Sequence, residues 1–233
     1  MAGSLLHDAL KRLASPFTVR IHKGPLAGAK WIAATGRRFI RGTYEQDTAI
    51  VIKDLVAPGQ VVYDVGAHAG YFTVLFSVCV GPTGRVVAFE PRPVNLHYLK
   101  RHLTLNRCQN VEVMAYAVAD RDGESQFDLG TGTGTGHLSD TGPLSVKTVT
   151  LDGLVDLGCI PAPDFIKIDA EGAEHRILEG AREVITNCRP AMIVELHGQD
   201  VGDRVRSFLG RLGYRLTETG GPSRIAAIPA QRT

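Results

Sequence analysis

Between Val61 and Leu196, runs of strand formers alternate with helical stretches, joined by short turns. Val61–Ala67, Arg85–Pro91, Val111–Val118, Asp164–Ala170 and Ala191–Leu196 read as strands. Tyr71–Val80, Pro93–Asn106, Ala173–Asn187 and Val201–Leu212 read as helices, with Pro93 at a first-turn position where proline is tolerated. A chain that alternates in this way folds into a parallel sheet covered by helices on both faces. Two further strands, near Tyr214–Thr219 and Arg224–Ile228, are separated only by a loop around Gly220-Gly221-Pro222. No helical crossover fits in so short a link, so this pair is expected to be antiparallel.

The flanking segments are simpler. Residues 4–14 carry Leu5, Leu6, Ala9, Leu10 and Leu13 on one helical face, behind Ser4 as N-cap. Residues 17–34 read as two short strands around a Gly24–Gly28 turn, and a helix is expected from about Tyr44 to Val56. This divides the chain into an N-terminal helix and hairpin extension, 1–42, and a main domain, 43–233. Ser125–Leu129 and Lys147–Leu151 read as minor strands, with a short turn of helix over Leu151–Leu157. Between the minor strands, residues 130–137 read GTGTGTGH, which is either an ordinary surface loop or a lid.

Composition excludes several classes. With 26 Lys+Arg against 24 Asp+Glu, the net charge is +2, and no broad cationic face for nucleic acid is expected. The longest strongly apolar stretch, Phe72–Val80, is far short of the roughly 20 residues a membrane-spanning helix needs. The four cysteines, at 79, 108, 159 and 188, form no CxxC pair, and the N-terminus lacks a signal-peptide pattern. A cytoplasmic protein is expected, and its oligomeric state, homodimer included, is left open.

The first main strand runs into Asp64-Val65-Gly66-Ala67-His68-Ala69-Gly70. Small residues there let a ligand approach the backbone at the carboxyl edge of the sheet, where open α/β folds bind ligands. The glycines are spaced GxxxG, not GxGxxG, which weighs against a dinucleotide pyrophosphate. Asp64 before them would oppose a phosphate and favour a cation. Glu90, at the end of the second strand, stands where carboxylates accept hydrogen bonds from ribose hydroxyls. A ligand with a ribose, a positive charge and no phosphate satisfies both, and S-adenosyl-L-methionine is such a molecule.

Five segments together resemble one family: DVGAHAG (64–70), VVAFEPRPVNLHYLKRHLTLN (86–106), TLDGL (150–154), DFIKIDAEGAEHRILEGA (164–181) and RPAMIVELHG (189–198). They look like the FkbM-like S-adenosylmethionine-dependent methyltransferases, and the resemblance runs from about Gly42 to Gly198. His68 departs from the family, which commonly has Asn there. The resemblance implies a Rossmann-like class I methyltransferase fold: a mostly parallel seven-stranded sheet whose last strand is antiparallel. It implies that Asp64, Gly66 and Gly70 hold the methionine part and Glu90 the ribose. It places Ala117 and Val118 beside the adenine. GTYEQ (42–46) resembles the family's entry helix, which adds Glu45 to the cofactor set. Asp120 either reaches the adenine amino group or belongs to a plain turn.

Three further candidates end the fourth and fifth strands. Strand alternation puts Lys167 and Asp169 on one face, and likewise Glu195 and His197. Asp169 and Glu171 stand at the ligand-bearing edge, although Glu171 and Glu174 also suit the N-terminus of a helix. His197, as a neutral imidazole, could take a proton from a hydroxyl, or it could be a satisfied structural residue. Asp169, Glu171 and His197 could alternatively hold a divalent ion, but their spacing does not establish one and no metal is expected.

The expectation is a methyltransferase that acts on a hydroxyl of a small-molecule acceptor, such as a sugar or a polyketide-type metabolite. N-methylation, a nucleotide-dependent oxidoreductase and a catalytically silent cofactor-binding module are the rivals.

Overall fold

The structure is a computed structural model and describes residues 17–230. The helix expected over 4–14 lies outside the described residues. An antiparallel hairpin comes first, β1 (Thr18–Arg20) on β2 (Lys30–Ile32), with Val19 opposite Trp31. Two helices follow, α1 (Arg37–Arg41) and α2 (Gln46–Leu55).

The main body is a seven-stranded sheet. Its strands are β3 (Val61–Val65), β4 (Arg85–Phe89), β5 (Val111–Met114), β10 (Phe165–Ile168), β11 (Ala191–Glu195), β12 (Tyr214–Glu218) and β13 (Arg224–Pro229). Their spatial order is β12-β13-β11-β10-β3-β4-β5. The pairs within β11-β10-β3-β4-β5 are parallel, while β13 is antiparallel to both β11 and β12. The expected reversed strand is therefore β13, with the order turning back at the β3/β10 boundary.

Strand periodicity sorts the core onto the two faces. On β3, Tyr63 and Val65 join one buried cluster with Phe89, Ile177, Leu178 and Phe208. Val62 points the other way, into a cluster with Trp31, Phe72, Leu75, Phe76 and Leu99. Helices α3 (Tyr71–Val80) and α4 (Pro93–Leu105) cover this second face together with the N-terminal segment. Helix α3 is buried nearly all round, as its apolar sequence requires. At the join, Trp31 stacks on His102 with ring centroids 3.6 Å apart. His102 takes the Ile32 N–H on Nε2 at 3.0 Å, and its Nδ1 lies 2.7 Å from the Ala69 carbonyl.

Three local expectations need correction. The single strand expected over 111–118 is two. β5 is the edge of the main sheet, so nothing on its outer side holds the chain there. β6 (Ala117–Val118) leaves to join a second, four-stranded sheet with β7 (Gly123–Asp128), β8 (His137–Ser139) and β9 (Leu144–Val149), in the order β6-β9-β7-β8. β8 was hidden behind the Gly-Thr stretch; it pairs Leu138 with Phe127. After the short helix α5 (Leu151–Asp156), the helix expected over 173–187 breaks into α6 (Glu174–Glu179) and α7 (Arg182–Cys188). Gly180 approaches the Ala119 carbonyl so closely that a Cβ would lie 2.0 Å from its oxygen. Asp152 then caps the new helix, accepting from the Glu183 and Val184 amides at 3.0 and 2.9 Å. Helix α8 (Gln199–Arg211) packs against α6 and β12.

Candidate active site

The carboxyl ends of β3, β4, β10 and β11 surround one cavity, about 860 Å³ with its mouth included. The turn after β3 makes its floor. Gly66 has φ 78°, and a Cβ there would lie 1.8 Å from the Asp169 carbonyl oxygen, so only glycine lets the ends of β3 and β10 meet. His68 is also left-handed, at φ 50°. Asn and His are among the side chains enriched in this conformation.

The turn also presents its backbone to Glu90. The His68 amide donates to Glu90 Oε2 at 2.8 Å, and the Arg92 amide and Asn95 side chain donate to Oε1 at 2.9 and 3.2 Å. Burial pushes the Glu90 pKa up to about 7, against these three donors. The expected loop over 130–136 has a definite place. Thr133, Gly134 and Gly136 line the cavity. Asn95 holds the Thr133 carbonyl at 3.0 Å, while Arg92 Nη1 holds those of Leu129 and Gly132 at 3.1 and 2.7 Å. Apolar wall is supplied by Phe89, Ala117, Val118, Phe127 and Ile177.

The opposite side of the cavity is ionic. Lys167, fully buried, has Nζ 3.2 Å from Asp169 Oδ2 and 3.8 Å from Asp64 Oδ1, and sits 5.1 Å above the Phe72 ring centre. Burial would lower the Lys167 pKa, but Asp169 and Asp64 outweigh it and raise it. Burial would raise the Asp169 pKa, but Lys167 and His197 outweigh it and hold it below the ordinary aspartate value. Arg224, from β13, places Nη2 3.0 Å from both Glu45 and Glu195. Tyr44 lines the cavity beside them, and burial together with Glu45 raises its hydroxyl pKa.

His197 Nδ1 lies 2.8 Å from Glu174 Oε1, while its Nε2 faces Glu171 at 3.6 Å and Asp169 at 3.9 Å. Burial would lower the His197 pKa, yet the Glu174 hydrogen bond and the three carboxylates lift it to about 9. These partners favour the imidazolium at neutral pH, so the ring must lose a proton before it can act as the expected neutral imidazole. One ligand atom each from Asp169, Glu171 and His197 lies within 4.8 Å of the others.

Of the residues singled out from the sequence, Glu45, Gly66, Glu90, Ala117, Val118, Asp169, Glu171 and His197 line this one cavity. Three do not. Asp64 is buried behind the wall, accepting the Thr73 hydroxyl at 2.6 Å. Gly70 packs on α4, where a Cβ would lie 2.5 Å from Leu99 Cδ1. Asp120 pairs with Arg176 at 2.8 Å. Sequence reading missed Tyr44, Asn95, Tyr116 and Arg224. Asn95 had a signal, five residues past Glu90 on the next helix, and Tyr44 stands beside Glu45 in the GTYEQ segment.

The sheet order, with its single reversed strand and its ligand cavity at the carboxyl edge, defines a class I methyltransferase architecture. The profile of the methyltransferase FkbM domain matches residues 64–216, and the chain belongs to that family. One relative, the hexuronic acid methyltransferase AglP of Haloferax volcanii, is 28% identical over 163 residues, 69% of this chain and 64% of the relative. The match thus spans just under two thirds of that relative's length. Another, the 31-O-demethyl-FK506 methyltransferase FkbM of Streptomyces tacrolimicus, is 27% identical over 215 residues, 76% of this chain and 82% of the relative. Among solved structures, a precorrin-6y C5,15-methyltransferase from Geobacter metallireducens superposes with a TM-score of 0.54 at 17% identity. It covers 80% of this chain and 90% of that one. Among the described residues, no helix is long and apolar enough to cross a membrane.

Proposed function

We propose that this protein transfers a methyl group from S-adenosyl-L-methionine to a hydroxyl oxygen of a sugar-type small molecule. The observation that carries the reading is the union, in one cavity, of Glu90 on one side with Asp169, Glu171 and His197 on the other. The donor set suits the cofactor. Glu90 is placed to accept from ribose hydroxyls, and Asn95 Oδ1, buried without a hydrogen-bond partner, adds an acceptor beside it. Ala117 and Val118 offer an apolar face to the adenine. Asp169, with Glu45 and Glu195 behind it, suits the cationic methionine end. Asp64 acts indirectly in this reading, by holding Lys167 beside Asp169. An oxygen acceptor finds support in the name of one relative, a 31-O-demethyl-FK506 methyltransferase, and a sugar-type acceptor in that of another, a hexuronic acid methyltransferase.

The bound sulfonium supplies an activated methyl group. The residues of this chain do the rest: they align the hydroxyl oxygen with the methyl carbon and remove the hydroxyl proton. As the oxygen–carbon bond forms and the carbon–sulfur bond breaks, the proton passes to His197 Nε2. That nitrogen must first have lost its own proton, so turnover should climb with pH up to about 9.

The test is calorimetric binding of S-adenosyl-L-methionine, followed by mass spectrometry of methyl α-D-glucuronoside, neutral methyl glycosides and methyl α-D-glucosaminide incubated with enzyme and cofactor. Cofactor binding with methyl addition at oxygen supports the reading. Absence of cofactor binding sinks it. Methylation confined to amine acceptors replaces the hydroxyl with nitrogen. His197→Ala should bind cofactor normally and turn over about a hundred-fold more slowly. Full turnover with the same pH profile would make His197 structural.

A further inference from the structure

Glu174 does not line the cavity, yet it touches what does. It opens helix α6, is fully buried, and directs Oε1 at three donors. Two are backbone amides, Ala170 at 3.2 Å and Gly172 at 3.0 Å; the third is His197 Nδ1 at 2.8 Å. We infer that Glu174 is the positioning residue of this site, one buried carboxylate that sets both the direction of the His197 ring and the turn carrying Glu171. For its consequence in turnover, the inference rests on the methyltransferase reading above.

The argument for His197 is one of hydrogen-bond inventory. Glu174 Oε1 already accepts from two backbone amides, so the ring nitrogen facing it must be a donor and carry a hydrogen. Nδ1 is thereby committed as a donor. When the ring loses a proton it must lose it from Nε2, the nitrogen that faces Glu171 and Asp169 across the cavity wall. The tautomer useful for accepting a hydroxyl proton is thus selected before any ligand arrives.

The argument for Glu171 is one of backbone strain. Glu171 is left-handed, at φ 50°, which a glutamate does not adopt unless its surroundings hold it. The amides on either side of it, Ala170 and Gly172, are the two that Glu174 binds. The turn is pinned at both edges and the Glu171 side chain stays on the cavity wall. An acid that merely complements the dipole of a helix start explains neither these two bonds, to amides ahead of the helix, nor the third, to a histidine just past the end of β11.

The deciding measurement is nitrogen NMR of His197 at pH 10, above its pKa, in the protein alone. Wild type should show hydrogen on Nδ1. Glu174→Ala should lose that preference and show Nε2–H. Glu174→Gln retains an oxygen acceptor and should recover Nδ1–H. Wild-type tautomer in Glu174→Ala overturns the inference. Should Glu174→Ala fail to fold, Glu174→Asp takes its place: it keeps an acid at the helix start but withdraws it by one methylene, and an unmoved tautomer there overturns the inference equally. Neither readout needs an acceptor, so it stands or falls apart from the methyltransferase reading. In turnover of methyl α-D-glucuronoside, kcat of Glu174→Ala should drop at least tenfold with KM for S-adenosyl-L-methionine unchanged, and Glu174→Gln should restore part of it. A KM rise equal to the kcat loss would instead mark general damage and overturn the positioning role.

Discussion

The side-chain nitrogen of Asn95 lies 3.0 Å from the Thr133 carbonyl oxygen, and the same nitrogen donates to Glu90 at 3.2 Å. The Gly-Thr loop is therefore fastened to the carboxylate proposed to read the ribose. Asn95→Ala should remove both bonds, each worth about 1 kcal/mol. Amide exchange at Thr133 and Gly134 should then quicken roughly fivefold, and cofactor affinity should fall with it. If the loop exchanges at its wild-type rate, Arg92 alone secures it.

Glu90 itself governs affinity more strongly. Ribose hydroxyls donate to the ionised carboxylate, so affinity for S-adenosyl-L-methionine should weaken as pH falls below the Glu90 pKa of about 7. Glu90→Gln should bind at least about tenfold more weakly, the scale of one charge-assisted bond, and should lose the pH dependence. Calorimetry across pH 5.5–8.5, a range of roughly three units around that pKa, would show it. A variant that keeps the wild-type slope removes Glu90 from the ribose site.

Lys167→Met tests the buried ionic pair. It leaves Asp64 and Asp169 without the cation that lies 3.8 and 3.2 Å from them. Breaking a buried pair by removing one partner costs about 3–5 kcal/mol. Urea denaturation at neutral pH should find a loss of that order. A loss under about 1 kcal/mol would mean that water or a proton already shields the two aspartates.

His102 predicts the acid limb of stability. Burial pushes its pKa down to about 4, so the folded state keeps it neutral while the unfolded chain takes up a proton near its ordinary value. The folded pKa lies below the unfolded one. The stabilisation is therefore present above about pH 6.5 and is lost as pH falls toward 4, in all roughly 3 kcal/mol. Denaturant midpoints at several pH values should trace this decline. In His102→Gln, less stable overall, the curve should be flatter across the same window; an identical slope assigns the acid sensitivity to another group.

Much of this arrangement could be read from the sequence because the informative residues sit at strand ends. Alternation on β3, β4 and β10 put Gly66, Glu90 and Asp169 at one edge before any coordinates. What escaped lies where local pattern carries no such information. Arg224 meets the cavity-lining Glu45 and Glu195 only because β13 is reversed and pairs Arg224 with Glu195, a tertiary fact. β8 was invisible because three residues, His137–Ser139, are too few for an alternation to show. The split at Gly180 depends on the Ala119 carbonyl, some sixty residues earlier in the chain. The ionisation of His197 escaped for the same reason: its nearest partner, Glu174, belongs to a neighbouring helix, and only packing brings the two to 2.8 Å.

The reversed strand also sets an order in time. A ribosome makes Glu45 and the parallel strands first, and β13 after them. Because β13 runs backward, its opening residue, Arg224, is the one delivered to the carboxyl edge of the sheet. Until it emerges, Glu45 and Glu195 face each other without the guanidinium that lies 3.0 Å from both in the folded protein. Without β13 the cavity wall would hold two mutually repelling acids, and Arg224 turns that repulsion into a clasp.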